Sequence, residues 1–202
     1  MQQVKIRMLG GFSVSFDGKT VDDSANRMRK VWLLLSYLVY NRNAVPSQER
    51  YLALLQGAGG EESADPNGKL KAMFYRVRTM LNSLSPTAGH DWIVYRDGTY
   101  CWNNEVDVVL DTEEFEALCR AAMETEDTAE RLALYEKALS LYGGDFLPKL
   151  SMEPWVIPLS AYYHRLYVEA ALETLALLQE SAAWQKMVAV SYTHLTLPTI
   201  LL

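Results

Sequence analysis

The sequence predicts two modules, an α+β module followed by an all-α one, and three observations carry that expectation. A basic amphipathic stretch, KLKAMFYRVRTML from Lys69 to Leu81, is followed closely by a short aromatic run, WIVYRDGTYCW, that reads as a hairpin. Charge divides the chain: Met1 to Asn103 holds 13 Lys/Arg against 9 Asp/Glu, whereas the remaining 99 residues hold 6 against 16, so the net charge of −6 is an average of two opposite halves. Beyond Leu110 the apolar residues recur at helical spacing in several long segments. A chain of 202 residues, half of them hydrophobic, is long enough for two cores.

Taken in order, Val4–Leu9 and Phe12–Phe16 read as short strands, with Gly10-Gly11 and Asp17-Gly18 supplying turns. Arg27–Tyr40 carries a hydrophobic stripe through Val31, Leu34, Leu35, Leu38 and Val39 and predicts a buried first helix. Ser47 opens a second helix, with Arg50 where a capping box has Glu or Gln, and that helix ends near Gly57. A Gly- and acid-rich loop, Ala58 to Asn67, leads to the third helix, with Pro66 marking its approach. In that helix Leu70, Phe74, Val77 and Leu81 share one face, and Lys71, Tyr75, Arg76 and Arg78 fall off it. After a polar break from Ser83 to His90, Asp97-Gly98 supplies a tight reversal with Arg96 at its tip.

A small sheet, three helices and a closing hairpin make a winged helix-turn-helix. Such a fold offers one helix to the major groove of DNA and a hairpin arm beside it. Pro66 to Leu84 contains Lys69, Lys71, Arg76 and Arg78 and no acid, which concentrates positive potential on the proposed reading helix. Arg27, Arg29 and Lys30 form a second cluster. Cations are not favoured at a helix start by the helix dipole, so this cluster is either a contact to an outside anion or a solvated turn.

In the acidic half, Asp111-Thr112 precedes a helix through Phe115, Leu118 and Ala122; Ala129–Tyr142 carries Leu132, Tyr135, Ala138 and Leu139; Gly143-Gly144 ends it; and Tyr162–Glu180 is a further long amphipathic segment. Ala138-Leu139 and Ala171-Leu172 are 33 residues apart, close to the roughly 34-residue tetratricopeptide period, which predicts a tetratricopeptide-like helical domain. Trp155, Tyr162, Tyr163 and Tyr167 either line a groove for a partner or pack as core.

Several function classes find no support in the sequence. There is no GxSxG, HExxH, cysteine cluster or true phosphate loop, and His90, His164 and His194 are scattered; no catalytic centre, metal or cofactor is expected. Cys101 and Cys119 lie in different modules without metal-like spacing and read as reduced thiols. No run approaches the roughly 20 apolar residues of a membrane span, and MQQVKIRMLGGF lacks the apolar core of a secretion signal, so the expected location is cytoplasmic.

The chain as far as Ala189 resembles the SARP-type bacterial transcriptional activators. Their OmpR-like winged helix is echoed in KIRMLGGFSVSFDGK, RKVWLLLSYLVYNRNAVPSQERYLALL and LKAMFYRVRTML, and their bacterial transcriptional activator domain in VDVVLDTEEFEAL, ALSLYGGDFLP, EPW and HRLYVEAALETLALL. Gln56 stands where members often have Trp. The resemblance implies a winged-helix DNA-binding domain over residues 1–105 and a helical activator domain over 106–189. It implies binding to double-stranded promoter repeats through Lys71, Tyr75, Arg76 and Arg78, with Arg96 on the wing, and contact with RNA polymerase by the helical domain. A homodimer is a further possible assembly. The alternative is a protein-interaction scaffold whose winged helix no longer binds DNA. The last segment, 190–202, is expected to be a non-native tail: VSYTHLTLPT is similar to a translated sequencing adapter and breaks the helical periodicity that runs through Val188, so the natural chain is expected to continue differently after Ala189.

Overall fold

The computed structural model describes residues 3–24, 28–57 and 65–180. Two compact units emerge, Met1–Met8 with Phe12–Val109 and Leu9–Gly11 with Leu110–Leu202. The division falls at Val109/Leu110, and it assigns the tripeptide Leu9–Gly11 to the second unit.

In the first unit, β1 (Val4–Arg7), β2 (Ser13–Phe16), β3 (Lys19–Asp22) and β6 (Val108–Leu110) form a sheet in the order β3-β2-β1-β6. The turn between β2 and β3 places Asp17 at φ 50° and Gly18 at φ 75°, the pair of positive angles that suits a two-residue hairpin loop. Strands β3 and β6 were not expected from the sequence. Helix α1 (Arg29–Tyr40) buries every residue from Val31 to Val39. Ser47 caps α2 (Gln48–Gly57), its hydroxyl accepting from the Arg50 amide at 3.3 Å. Helix α3 (Pro66–Leu81) begins a turn earlier than its apolar stripe suggests, because Asp65 accepts a hydrogen bond from the Gly68 amide at 2.8 Å and Pro66 fits the first turn. A short helix α4 (Ala88–Trp92) occupies part of the expected polar break. Strands β4 (Ile93–Arg96) and β5 (Thr99–Trp102) form the expected hairpin, closed by Asp97 and Gly98 at φ 49° and 79°.

In the second unit α5 (Asp111–Glu124) and α6 (Thr128–Leu141) make a helical hairpin, and α7 (Val156–Glu180) packs on α6. Acids fill the first turn of α5, where the helix dipole favours them, and Asp127 caps α6 by accepting from Ala129 and Glu130. Helix α7 starts six residues before the expected Tyr162; Pro158 lies in its first turn, where its missing amide costs nothing. Leu9 bridges to Phe146, and the Gly10 amide donates to the Asp145 carbonyl at 2.9 Å. At φ 86° Gly10 lies against the Gly143 backbone so closely that a methyl group there would overlap it.

The aromatic row divides by burial. Tyr163 and Tyr167 are core, stacked on Phe146 at 5.3 Å and on Tyr142 at 4.0 Å, while Tyr162 remains accessible. The spacing of Ala138-Leu139 and Ala171-Leu172 does not translate into equivalent environments: the first three of these residues are buried and Leu172 is 55 % exposed. Cys101 and Cys119 are free and buried, and burial pushes the Cys119 thiol up to about 12. None of the described helices is long and apolar enough to cross a membrane, and no group of three or more His, Cys, Asp or Glu among the described residues is placed to hold a metal.

Candidate nucleic-acid interface

Helix α3 is held from beneath by rings. Phe74, fully buried, stacks on Tyr100 of β5 with centroids 3.9 Å apart and meets the edge of Tyr51 from α2 at 5.2 Å. The Tyr51 hydroxyl donates to the Tyr100 carbonyl at 2.9 Å, and burial raises its pKa well above the ordinary phenol value. Thr99 donates to the Pro46 carbonyl at 2.7 Å, tying the hairpin to the turn before α2. Gly89 of α4 lies against the backbone of Arg78 with no room for a side chain. Apolar spacing within α2, α3 and β5 thus fixes one helix against one hairpin.

The face turned away from this core carries Lys71, Tyr75 and Arg76, all exposed, Tyr75 by 68 %. Where α2, α3 and the hairpin meet, a cleft of about 530 Å³ is lined by Gln48, Asn67, Gly68, Lys71, Tyr95 and Tyr100. It contains one cation and no carboxylate. Gln48 donates to the Asn67 side chain at 3.0 Å, joining the starts of α2 and α3 across the cleft. Arg96 is exposed at the end of β4, beside the hairpin turn.

Arg78 is placed differently from the expectation. Its Nη2 donates to the Ile93 carbonyl at 2.7 Å, its guanidinium lies 5.5 Å from the centroid of the Tyr100 ring, and its Nε is buried. The side chain emerges at the margin of the apolar stripe and folds under the helix toward the start of β4, where it joins α3 to the hairpin. Arg29 is exposed and Lys30 partly buried at the start of α1, and neither lines the cleft; Arg27 lies outside the described residues, as do 181–202 with the expected tail. Gln48, Asn67 and Tyr95 were not singled out from the sequence. Strand alternation about the Asp97-Gly98 turn pairs Tyr95 with Tyr100, and that register was the available signal for Tyr95.

Residues 110–198 match the family model described as bacterial transcriptional activator domain. That match runs into Val190–Thr199 and so does not set the expected tail apart. The solved structure titled Mycobacterium tuberculosis EmbR in complex with low affinity phosphopeptide superposes with a TM-score of 0.70, covering 96% of this chain and 51% of that one at 17% identity. This chain spans about half the length of that protein, and the likeness is one of fold. No curated protein sequence matches significantly.

Proposed function

We propose that the chain is a sequence-specific DNA-binding transcriptional regulator, an activator, in which α3 enters the major groove and the β4–β5 hairpin acts as the wing. The observation that carries this reading is the acid-free face of α3, with Lys71, Tyr75 and Arg76 exposed over a rigid aromatic base. Arg76 and Tyr75 are the candidates for base edges, since an arginine fork matches the acceptors of guanine and a tyrosine ring reaches a thymine methyl or a phosphate. Lys71 and the Gln48 amide, lining a cleft that holds no carboxylate, suit one backbone phosphate, with the Tyr95 hydroxyl as a further donor. Arg96 at the wing and Arg29 and Lys30 on α1 are flanking phosphate candidates, and Arg78 acts as a positioning residue. The match of the second half to an activator domain supports a tetratricopeptide-like helical domain that contacts RNA polymerase, with dimerisation on direct repeats as a further assembly.

The test is selection of bound fragments from the source genome by the purified full chain, followed by anisotropy titration of one selected duplex at several salt concentrations. Specific binding whose affinity falls steeply with salt is expected. Absence of binding at low salt across the library would favour the alternative, an interaction scaffold with a degenerate winged helix, toward which the inward turn of Arg78 points.

A further inference from the structure

Between α5, α6 and α7 the helical unit carries a groove of about 340 Å³. Its floor is apolar, formed by Cys119, Leu166 and Ala170, and Met123, 63 % exposed, stands at the rim. Tyr135 also lines it. That residue is only 5 % exposed, yet its hydroxyl has no hydrogen-bond partner among the described residues and is not sealed in the interior, so it opens into the groove. A phenol whose ring is buried and whose hydroxyl reaches the groove without a protein partner is available to bond a ligand seated there.

The charge of the groove is unbalanced. Glu169 and Glu173 stand one helical turn apart on α7 and both line it. Glu169 meets Arg165 only at 3.9 Å, with both side chains largely exposed, and Glu173 makes no ion pair among the described residues. Arg131, the one cation of the lining, is already engaged: its Nε and Nη2 donate to the Thr125 carbonyl at 3.2 and 2.7 Å, closing the end of α5. The groove therefore pairs an apolar floor with two carboxylates, one arginine committed to a backbone carbonyl and an accessible phenol, set in a half of the chain already rich in acid.

We infer that this groove binds an arginine- or lysine-bearing peptide segment of a protein partner. The methylene stem of the basic residue lies along Leu166, Ala170 and Met123, its cationic head reaches Glu169 and Glu173, and the Tyr135 hydroxyl accepts one of its N–H groups. A long basic side chain fits because it is apolar along its length and charged at its end. The inference rests on the helical unit being the partner-binding half and is independent of DNA binding by the first unit.

The test is an NMR titration of the full chain carrying ¹³C-methyl methionine, with acetyl-Ala-Leu-Arg-Leu-Ala-amide as probe and the same peptide with glutamate or norleucine in place of arginine as comparators. The Met123 methyl signal should shift saturably with the arginine peptide alone, while that of Met152, 82 % exposed elsewhere in the unit, stays still. Glu169→Gln and Glu173→Gln should each weaken binding about fivefold, and Tyr135→Phe, which keeps the ring and the packing, by about threefold. Equal shifts with the norleucine peptide, or wild-type affinity in both glutamine variants, would overturn the inference. It is also overturned if Met123 responds to protein dilution without peptide, which would place a second copy in the groove, or responds to peptide only after residues 181–202 are deleted, which would place the chain's own segment there. A titration that fails while the full chain still captures RNA polymerase from extract overturns this groove as the contact and leaves the proposed function standing.

Discussion

Arg78→Met separates the two roles that an arginine on a reading helix can take. Methionine keeps most of the stem but removes the donor to the Ile93 carbonyl at 2.7 Å and the cation over the Tyr100 ring. A hydrogen bond to a charged group contributes about 1.5 to 3 kcal/mol, and a partly exposed cation–π contact about 0.5 to 1 kcal/mol. The two share one guanidinium and are not fully additive, so the expected loss is about 2 to 3 kcal/mol. For a unit of this size that is a fall in Tm on the order of 10 °C in the transition of the first unit, read by differential scanning calorimetry on the full chain. DNA affinity should also fall, because α3 loosens against the hairpin, but the slope of log affinity against log salt should stay where it was. A phosphate contact gives the opposite pattern, with unchanged melting and a slope shallower by about 0.9. That result would refute the inward assignment and restore Arg78 to the DNA-facing set.

The exposed face gives the complementary set of outcomes. Lys71→Ala should leave melting unchanged and flatten the salt slope by about 0.9, while Arg76→Ala, if it reads a base, should cost about 1 to 3 kcal/mol of binding and relax preference at one position of the selected site. Phe74→Ala should destabilise the first unit by about 3 to 5 kcal/mol in urea titration, since the ring is fully buried between Tyr51 and Tyr100. Gly89→Ala should lower the same transition by about 1 to 3 kcal/mol through overlap with the Arg78 backbone. In the second unit, burial raises the Cys119 thiol from an ordinary 9.0 to about 12 and the Tyr167 phenol from 10.0 to about 12. The folded state therefore holds these protons longer than the unfolded one; their contribution is complete below about pH 9 and is lost as pH rises toward about 12, and Cys119→Ser should blunt the cysteine part of that alkaline loss in pH-dependent urea melts.

What the sequence made legible was whatever repeats along the chain. The stripe Leu70, Phe74, Val77 and Leu81 and the Asp97-Gly98 reversal appear where periodicity and turn chemistry put them, because both are local. Strand β3 was hidden, since KTVD carries one apolar residue and its strand character comes from pairing with β2. Helix α4 spans five residues and β6 three, too short for a period to show. Arg78 was misleading for a different reason. It follows Val77 at the edge of the buried stripe, and only the position of the Ile93 carbonyl, supplied by the fold, decides which way its side chain turns. The 33-residue spacing shows the same limit, since burial of Leu139 and exposure of Leu172 depend on which neighbours each helix meets.

The tripeptide Leu9–Gly11 constrains how the two halves can be tested. It is covalently continuous with β1 and β2 yet belongs to the helical unit, where Gly10 donates to Asp145 and lies against Gly143. A fragment ending at residue 105 therefore loses the Val4 amide's acceptor at Asp107 as well as β6, and leaves Leu9 without Phe146; a fragment starting at 107 lacks the strand-like segment that satisfies Asp145. Loss of DNA binding in such pieces would report unfolding rather than the location of the binding face. Gly10→Ala in the full chain gives the cleaner measurement. Its methyl group would overlap the Gly143 backbone at a φ that disfavours side chains, so the helical unit should be destabilised, while Lys71, Tyr75 and Arg76 are untouched. Unchanged melting of the helical unit in that variant would show that the tripeptide is dispensable to that unit, leaving β6 and the Asp107 acceptor of the Val4 amide as the reasons to place any cut beyond Leu110.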